Sequence, residues 1–168
     1  NPMAPVLLDL DVPGQGEVPA VMQVTKQSFV YAFNRLTGEP IWPIIERPVP
    51  QSTVPGEVLS ETQPFPTKPS AFDIQGVSID DLIDWTPEIR QQAINAFADY
   101  QMGPLFNPPI QRGHESGKRA AMFCPGGGGG ANITSPSVAD PNTGYLFVSS
   151  RSACSPILMV PGEEADLQ

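Results

Sequence analysis

Apolar residues in the first 42 positions recur at every second place, as the two-residue period of a β-strand requires. Val6 to Leu10 and Val18 to Val24 read as two strands around an Asp11-Val12-Pro13-Gly14-Gln15-Gly16 loop. Pro19 stands near the start of the second, where a missing N–H matters least. Ser28 to Phe33 reads as a third strand, with Phe29, Tyr31 and Phe33 on one face and Val30 and Ala32 on the other. Leu36-Thr37-Gly38-Glu39 is a turn, because Gly38 tolerates positive φ. Ile41-Trp42 opens a fourth strand.

The alternation then stops. Seven prolines fall between Pro43 and Pro69, enough to exclude regular structure there. Ile44, Ile45, Val49, Val54, Val58, Leu59 and Phe65 are interspersed, so the segment reads as an ordered loop laid over a larger body and not as a tether. Ser78 and Asp81 have the spacing of a capping box, with a short helical turn through Leu82 and Ile83 behind it. Thr86-Pro87 supplies a cap and a first-turn proline. Ile89, Ala93, Ala96, Phe97 and Tyr100 then recur at helical spacing and predict a helix over Pro87 to Tyr100. Gly103 to Gly117 reads as loop and Arg119 to Cys124 as a strand. Gly126 to Gly130 lead to Ala131-Asn132. Val138-Ala139 and Tyr145 to Ser149 flank a turn at Asp140-Pro141-Asn142-Thr143-Gly144. The tail from Pro161 is acidic and reads as frayed.

Composition agrees with short strands and long loops: the 168 residues include 21 Pro and 15 Gly. The formal net charge of −9 disfavours a nucleic-acid or anionic-membrane surface, which needs concentrated positive charge. It is compatible with a bound cation. No apolar window is long enough for a transmembrane helix. Asn1 to Pro5 has neither a basic region nor an apolar signal core, so the chain is expected to begin inside something longer or after processing. Cys124 and Cys154 can either pair in an oxidising compartment or stand as two small buried residues. His114 is the only His, and no Cys or carboxylate recurs around it at metal spacing. These few strands close no sheet. A piece of a repetitive all-β architecture, in which neighbouring repeats cover strand edges, suits them better than an independent small β domain.

Ala32-x-Asn34-x-x-Thr37-Gly38-x-x-x-Trp42 resembles the tryptophan-docking repeat of the quinoprotein dehydrogenase propellers, with Asn34 where that family usually has Asp. Val54-Pro55-Gly56-Glu57 with Thr62 to Pro69, Gly103 to Pro109, and Gly129 to Asn132 with Asp140 to Val148 are similar, in the same order, to segments of its membrane-type glucose dehydrogenase branch. The resemblance covers about residues 1 to 150. It implies an all-β fold, part of an eight-bladed β-propeller of which this chain spans about two to three blades. Residues 1–168 would form one partial propeller domain, with a proline-rich loop and short helix inserted over 43–118. The family binds pyrroloquinoline quinone (PQQ) and a divalent cation, usually calcium. It oxidises aldose sugars or alcohols in the periplasm, or at a periplasm-facing membrane, and passes electrons to an acceptor such as a membrane quinone or cytochrome c. The alternative expectation is a non-catalytic propeller piece serving as a binding or assembly scaffold.

By the same resemblance Trp42 packs between blades and does no chemistry. Lys26 stands where the family has a Lys or Arg against the ortho-quinone oxygens; a fixed ammonium there stabilises the negative charge that grows as the quinone is reduced. Asn132 stands where an Asn hydrogen-bonds the cofactor, and an amide both donates and accepts. Glycines before it allow close backbone approach. Ile133 departs from the family's usual Trp. The catalytic Asp is expected just before Asn1, and the calcium-ligating Glu lies outside the chain. This stretch therefore carries two cofactor-binding candidates, Lys26 and Asn132, no catalytic residue and no metal ligand. Its small-molecule substrate and the rest of the propeller are its implied partners.

Overall fold

The computed structural model describes residues 3–131 and 137–162. β1 (Val6–Val12), β2 (Gly16–Val24) and β3 (Val30–Asn34) form an antiparallel meander. Val6 lies opposite Met22 and Val12 opposite Gly16, while Val24 lies opposite Val30 and Ala20 opposite Asn34. The expected alternation is present: Val18, Ala20, Met22 and Val24 of β2 are buried, as are Val30 and Ala32 of β3. With Met3, Val12, Ile41 and Ala131 they form the core cluster, against which Trp42, Phe72, Leu146 and Val148 pack. Each buried Val, Ile or Met side chain in it contributes about 1.5–3 kcal/mol by burial.

β3 starts later than the sequence suggests. Ser28 has φ 66° and closes a turn, its N–H donating to Thr25 O at 3.2 Å. The fourth strand shrinks to a bridge between Phe33 and Pro40, made by bonds from Ile41 N–H to Ala32 O at 2.9 Å and Asn34 N–H to Glu39 O at 2.8 Å; Pro43 then removes the next donor. The turn between these segments is built by its motif. Asn34 Oδ1 accepts from Leu36 N–H at 2.9 Å and Thr37 N–H at 3.3 Å, and Gly38, at φ 81°, donates to Asn34 O. An amide oxygen thus does the work that a carboxylate does in the usual form of the repeat.

The proline-rich segment corrects the expectation that it has no regular structure. β4 (Ile44–Pro48) and β5 (Thr62–Pro66) pair antiparallel from Ile44–Pro66 to Pro48–Thr62. The flanking bonds, Thr67 N–H to Pro43 O and Val49 N–H to Glu61 O, put the hydrogen-bonded positions on odd numbers. Pro48, Pro64 and Pro66 all fall on the even positions, where no ladder donor is required.

β6 (Gly76–Val77) pairs with β8 (Gly103–Pro104). Between them lie a 3-10 turn (Ile79–Asp81), α1 (Pro87–Phe97) and β7 (Tyr100–Gln101). Ser78 and Asp81 form the anticipated capping box, and Thr86 caps α1 through Ile89 N–H. The helix ends three residues early because Tyr100 is taken into β7. Its half-buried stripe is Ile89, Arg90, Ala93, Ile94 and Phe97, so Ile94 belongs to it and the exposed Ala96 does not. β9 (Ile110–Gln111), β10 (Ala120–Phe123) and β13 (Ser155–Met159) join β7 in a mixed sheet ordered β7-β10-β13-β9. The stretch expected as loop from Gly103 to Gly117 therefore contributes β8 and β9. β11 (Val138–Asp140) and β12 (Tyr145–Phe147) form the expected hairpin, and β11 packs on β1. Cys124 and Cys154 form a disulfide with Cα atoms 4.5 Å apart, which closes the question the sequence left open.

Candidate functional site

Lys26 sits on the tight turn between β2 and β3. Thr25 Oγ1 accepts from Phe29 N–H at 3.1 Å, and Thr25 N–H donates to Phe29 O at 2.9 Å. One segment, residues 72–75, clamps this turn: Phe72 N–H donates to Ser28 O at 3.1 Å and Gln75 Nε2 to Gln27 O at 2.7 Å. Ser28 is fully buried, and its hydroxyl has no partner. A left-handed φ and an orphaned hydroxyl both count against serine here. Ser28→Gly is therefore expected to raise stability by about 1 kcal/mol, checked by denaturant unfolding; a loss of stability would contradict this reading of the turn.

The glycine run lies against that turn. Lys26 Nζ donates to Gly127 O at 2.6 Å, across 101 residues of sequence. A Cβ on Gly130, whose φ is 61°, would overlap the Lys26 carbonyl and come 2.9 Å from its carbon. On its other side the run is held by the 151–155 segment. Gly126 N–H donates to Ala153 O at 2.6 Å, Gly130 and Arg151 exchange backbone bonds, and Gly127 N–H donates to Ser155 Oγ at 3.2 Å. The disulfide ties Cys154 to the residue just before Pro125. Asp73 accepts from Ser150 and Ser152 and so ties residues 72–75 to the start of that segment. Burial alone would raise the Asp73 carboxyl, but hydrogen bonds from Ser150, Ile74 N–H and Ser152 hold it below the ordinary carboxylate range.

Two clefts flank Lys26. One, of about 220 Å³, is lined by Lys26, Phe106, Asn107, Phe123 and Gly127 among others; the second runs between Lys26, Tyr31, Gln63 and Phe106. Phe106 forms a wall of both. It holds φ 65° and meets Phe65 edge-on at 5.8 Å between ring centroids, while Phe65 meets Phe29 at 5.4 Å. Asn107 fixes this wall from behind, donating to Gln101 O at 3.1 Å and Met122 O at 2.8 Å. The arrangement offers one cation, bare backbone and an aromatic face in a partly enclosed space. That combination suits a flat ligand carrying oxygen atoms.

The structure thus brings Lys26 and the glycine run together, which sequence spacing alone could not show. Asn132 lies outside the described residues. Phe106 and Gly127 were not singled out by sequence; the positive φ of Phe106 has no sequence signature. Among the described residues no group of three His, Cys, Asp or Glu side chains could hold a metal ion, and no helix is long and apolar enough to cross a membrane.

Comparison with known proteins gives this geometry its context. The family model described as "PQQ: Glucose/ethanol/alcohol dehydrogenase, beta-propeller domain" matches residues 1–168. The chain is 30% identical over 148 residues to the quinate/shikimate dehydrogenase (quinone) of Acinetobacter baylyi, covering 88% of this chain and 17% of that protein. It is 31% identical over 120 residues to the quinoprotein glucose dehydrogenase of Escherichia coli, covering 67% and 14%. It is 30% identical over 143 residues to the glycerol dehydrogenase large subunit of Gluconobacter oxydans, covering 83% and 18%. The chain spans less than a fifth of the length of each of these relatives. No solved structure matches it significantly.

Proposed function

The chain belongs to the PQQ-dependent glucose/ethanol/alcohol dehydrogenase β-propeller family, and from that membership we propose that the complete protein oxidises an aldose sugar or an alcohol at a PQQ site to which Lys26 contributes. The residues present fit such a group: a cation, a bare glycine backbone and a fixed aromatic wall surround one cleft. When bound, PQQ supplies a two-electron acceptor with ortho-quinone oxygens. Lys26 serves it by presenting an ammonium whose position is set by Gly127 O, so charge developing on a nearby oxygen meets a preorganised donor. Phe106 excludes water from one side and supplies a flat contact. By the family resemblance Asn132 is proposed as a second hydrogen-bonding contact to the cofactor.

We read residues 1–168 as one partial propeller domain with 43–118 inserted between blades. The catalytic base, the calcium ligands and most substrate contacts then come from other parts of the complete protein. The disulfide supports an oxidising, periplasmic setting. Sugar against alcohol, and membrane quinone against cytochrome c as acceptor, are to be distinguished by assay.

The observation that carries this reading is the match over the whole chain, together with Lys26 held against the glycine run. The test is to titrate full-length apoprotein with PQQ and calcium and to follow dye-linked oxidation of aldoses and alcohols. Lys26→Ala is expected to lower kcat by about 100-fold or more. A folded full-length protein that binds no PQQ would overturn the proposal in favour of a scaffold, and Lys26→Ala with full activity would remove Lys26 from the site.

A further inference from the structure

The five glycines are not equivalent. A Cβ on Gly126 would come 2.7 Å from Ser155 N, one on Gly129 would come 2.8 Å from Ala153 O, and one on Gly130 would overlap Lys26. Those three are glycine because the chain packs against itself there. Gly127 is under no such constraint. Its φ lies outside the left-handed region, and a Cβ on it would meet nothing within 4 Å. Yet Gly127 lines the Lys26 cleft, and both of its backbone polar groups are already engaged, to Lys26 Nζ and Ser155 Oγ. Its bare Cα therefore faces open space beside an ammonium and an aromatic ring.

A glycine that the fold does not require, placed in the lining of a cleft, leaves its backbone open to close approach by another molecule. We propose that Gly127 is a ligand-contact residue, its missing side chain leaving room for the flat, oxygen-rich cofactor that Lys26 serves. This inference rests on the functional reading above and adds a contact to it. Gly128 provides the comparison: a Cβ there meets only the far end of Arg151, at 3.6 Å, and it does not line the cleft.

The test uses full-length apoprotein, with thermal unfolding and PQQ titration by fluorescence quenching as readouts independent of turnover. Gly127→Ala is expected to leave the thermal midpoint of the apoprotein unchanged and to weaken PQQ binding by about ten-fold or more. Gly128→Ala is expected to leave both unchanged. Wild-type affinity in Gly127→Ala overturns the inference. So does an equal loss in Gly128→Ala, which would point to general stiffening of the loop, or a fall in midpoint that accounts for the weaker binding. If the wild type binds PQQ and Lys26→Ala weakens that binding while Gly127→Ala does not, only this inference fails. If the folded wild type binds no PQQ, the functional reading fails with it.

Discussion

Gly130→Ala is expected to destabilise the complete protein by about 2–4 kcal/mol, more than any other alanine substitution in the glycine run. Two costs add. At φ 61° an alanine is held in the left-handed region, at about 1 kcal/mol or more. Its Cβ would also overlap the carbonyl of Lys26, with that residue's Cα only 3.2 Å away. Neither neighbour is a flexible side-chain end, so the β2–β3 turn or the glycine run has to move, at about 1–3 kcal/mol for overpacking. Movement is resisted on both sides: Arg151 bridges Gly130 from one, and Phe72 and Gln75 hold the turn from the other. Gly144→Ala isolates the first cost, since Gly144 has φ 72° with no atom near its would-be Cβ. It should lose only about 1 kcal/mol. Chemical denaturation of the two variants beside the wild type measures the difference. Equal losses would show that Gly130 is not held against Lys26 as described.

Much of the first 42 residues was legible because a single rule governs them. With one face on the core, side chains alternate, and a strand read from Val18 to Val24 has its register fixed by which residues must be inside. The Asn34-to-Trp42 turn was legible because Asn34 and Thr37 both find their partners within it, accepting from the backbone N–H groups of Leu36, Thr37 and Glu39. The helix caps were readable for the same reason. Legibility fails where structure depends on distant partners. β4 and β5 look unpairable residue by residue; only the register reveals that their prolines share the non-bonded positions. β13 carries Pro156 and was missed, although Pro156 simply lies opposite Met122. The family resemblance pointed to Lys26 and to the glycine run separately. Their contact is a property of the folded chain, and so is the distinction between glycines required by packing and one that packing leaves free. Whether the two cysteines meet is likewise set by how β10 and β13 pair.

Removing that disulfide is the second large effect. The bond closes a loop across 30 residues of sequence, for which chain-entropy reasoning gives about 3–4 kcal/mol. The enclosed segment holds the glycine run and the β11–β12 hairpin, and its far end includes Ala153, whose carbonyl accepts from Gly126 N–H. Ser155, one residue past the bond, receives Gly127 N–H, and Gly127 O in turn receives Lys26 Nζ. Loosening Cys154 therefore propagates in three short steps to the ammonium proposed to serve the cofactor. A Cys124→Ser, Cys154→Ser double variant of the full-length protein should unfold at a lower temperature. Its Gly126 to Gly130 amides should exchange hydrogen faster than in the wild type, by up to about 150-fold if about 3 kcal/mol of local stability is lost. Reduction of the wild type by dithiothreitol, with thiol titration to show that both sulfurs are free, should reproduce the change. Unaltered exchange in the glycine run after proven reduction would mean that the backbone bonds to Ala153 and Arg151 hold the run by themselves. The bond would then stabilise the β10–β13 pair without positioning Lys26.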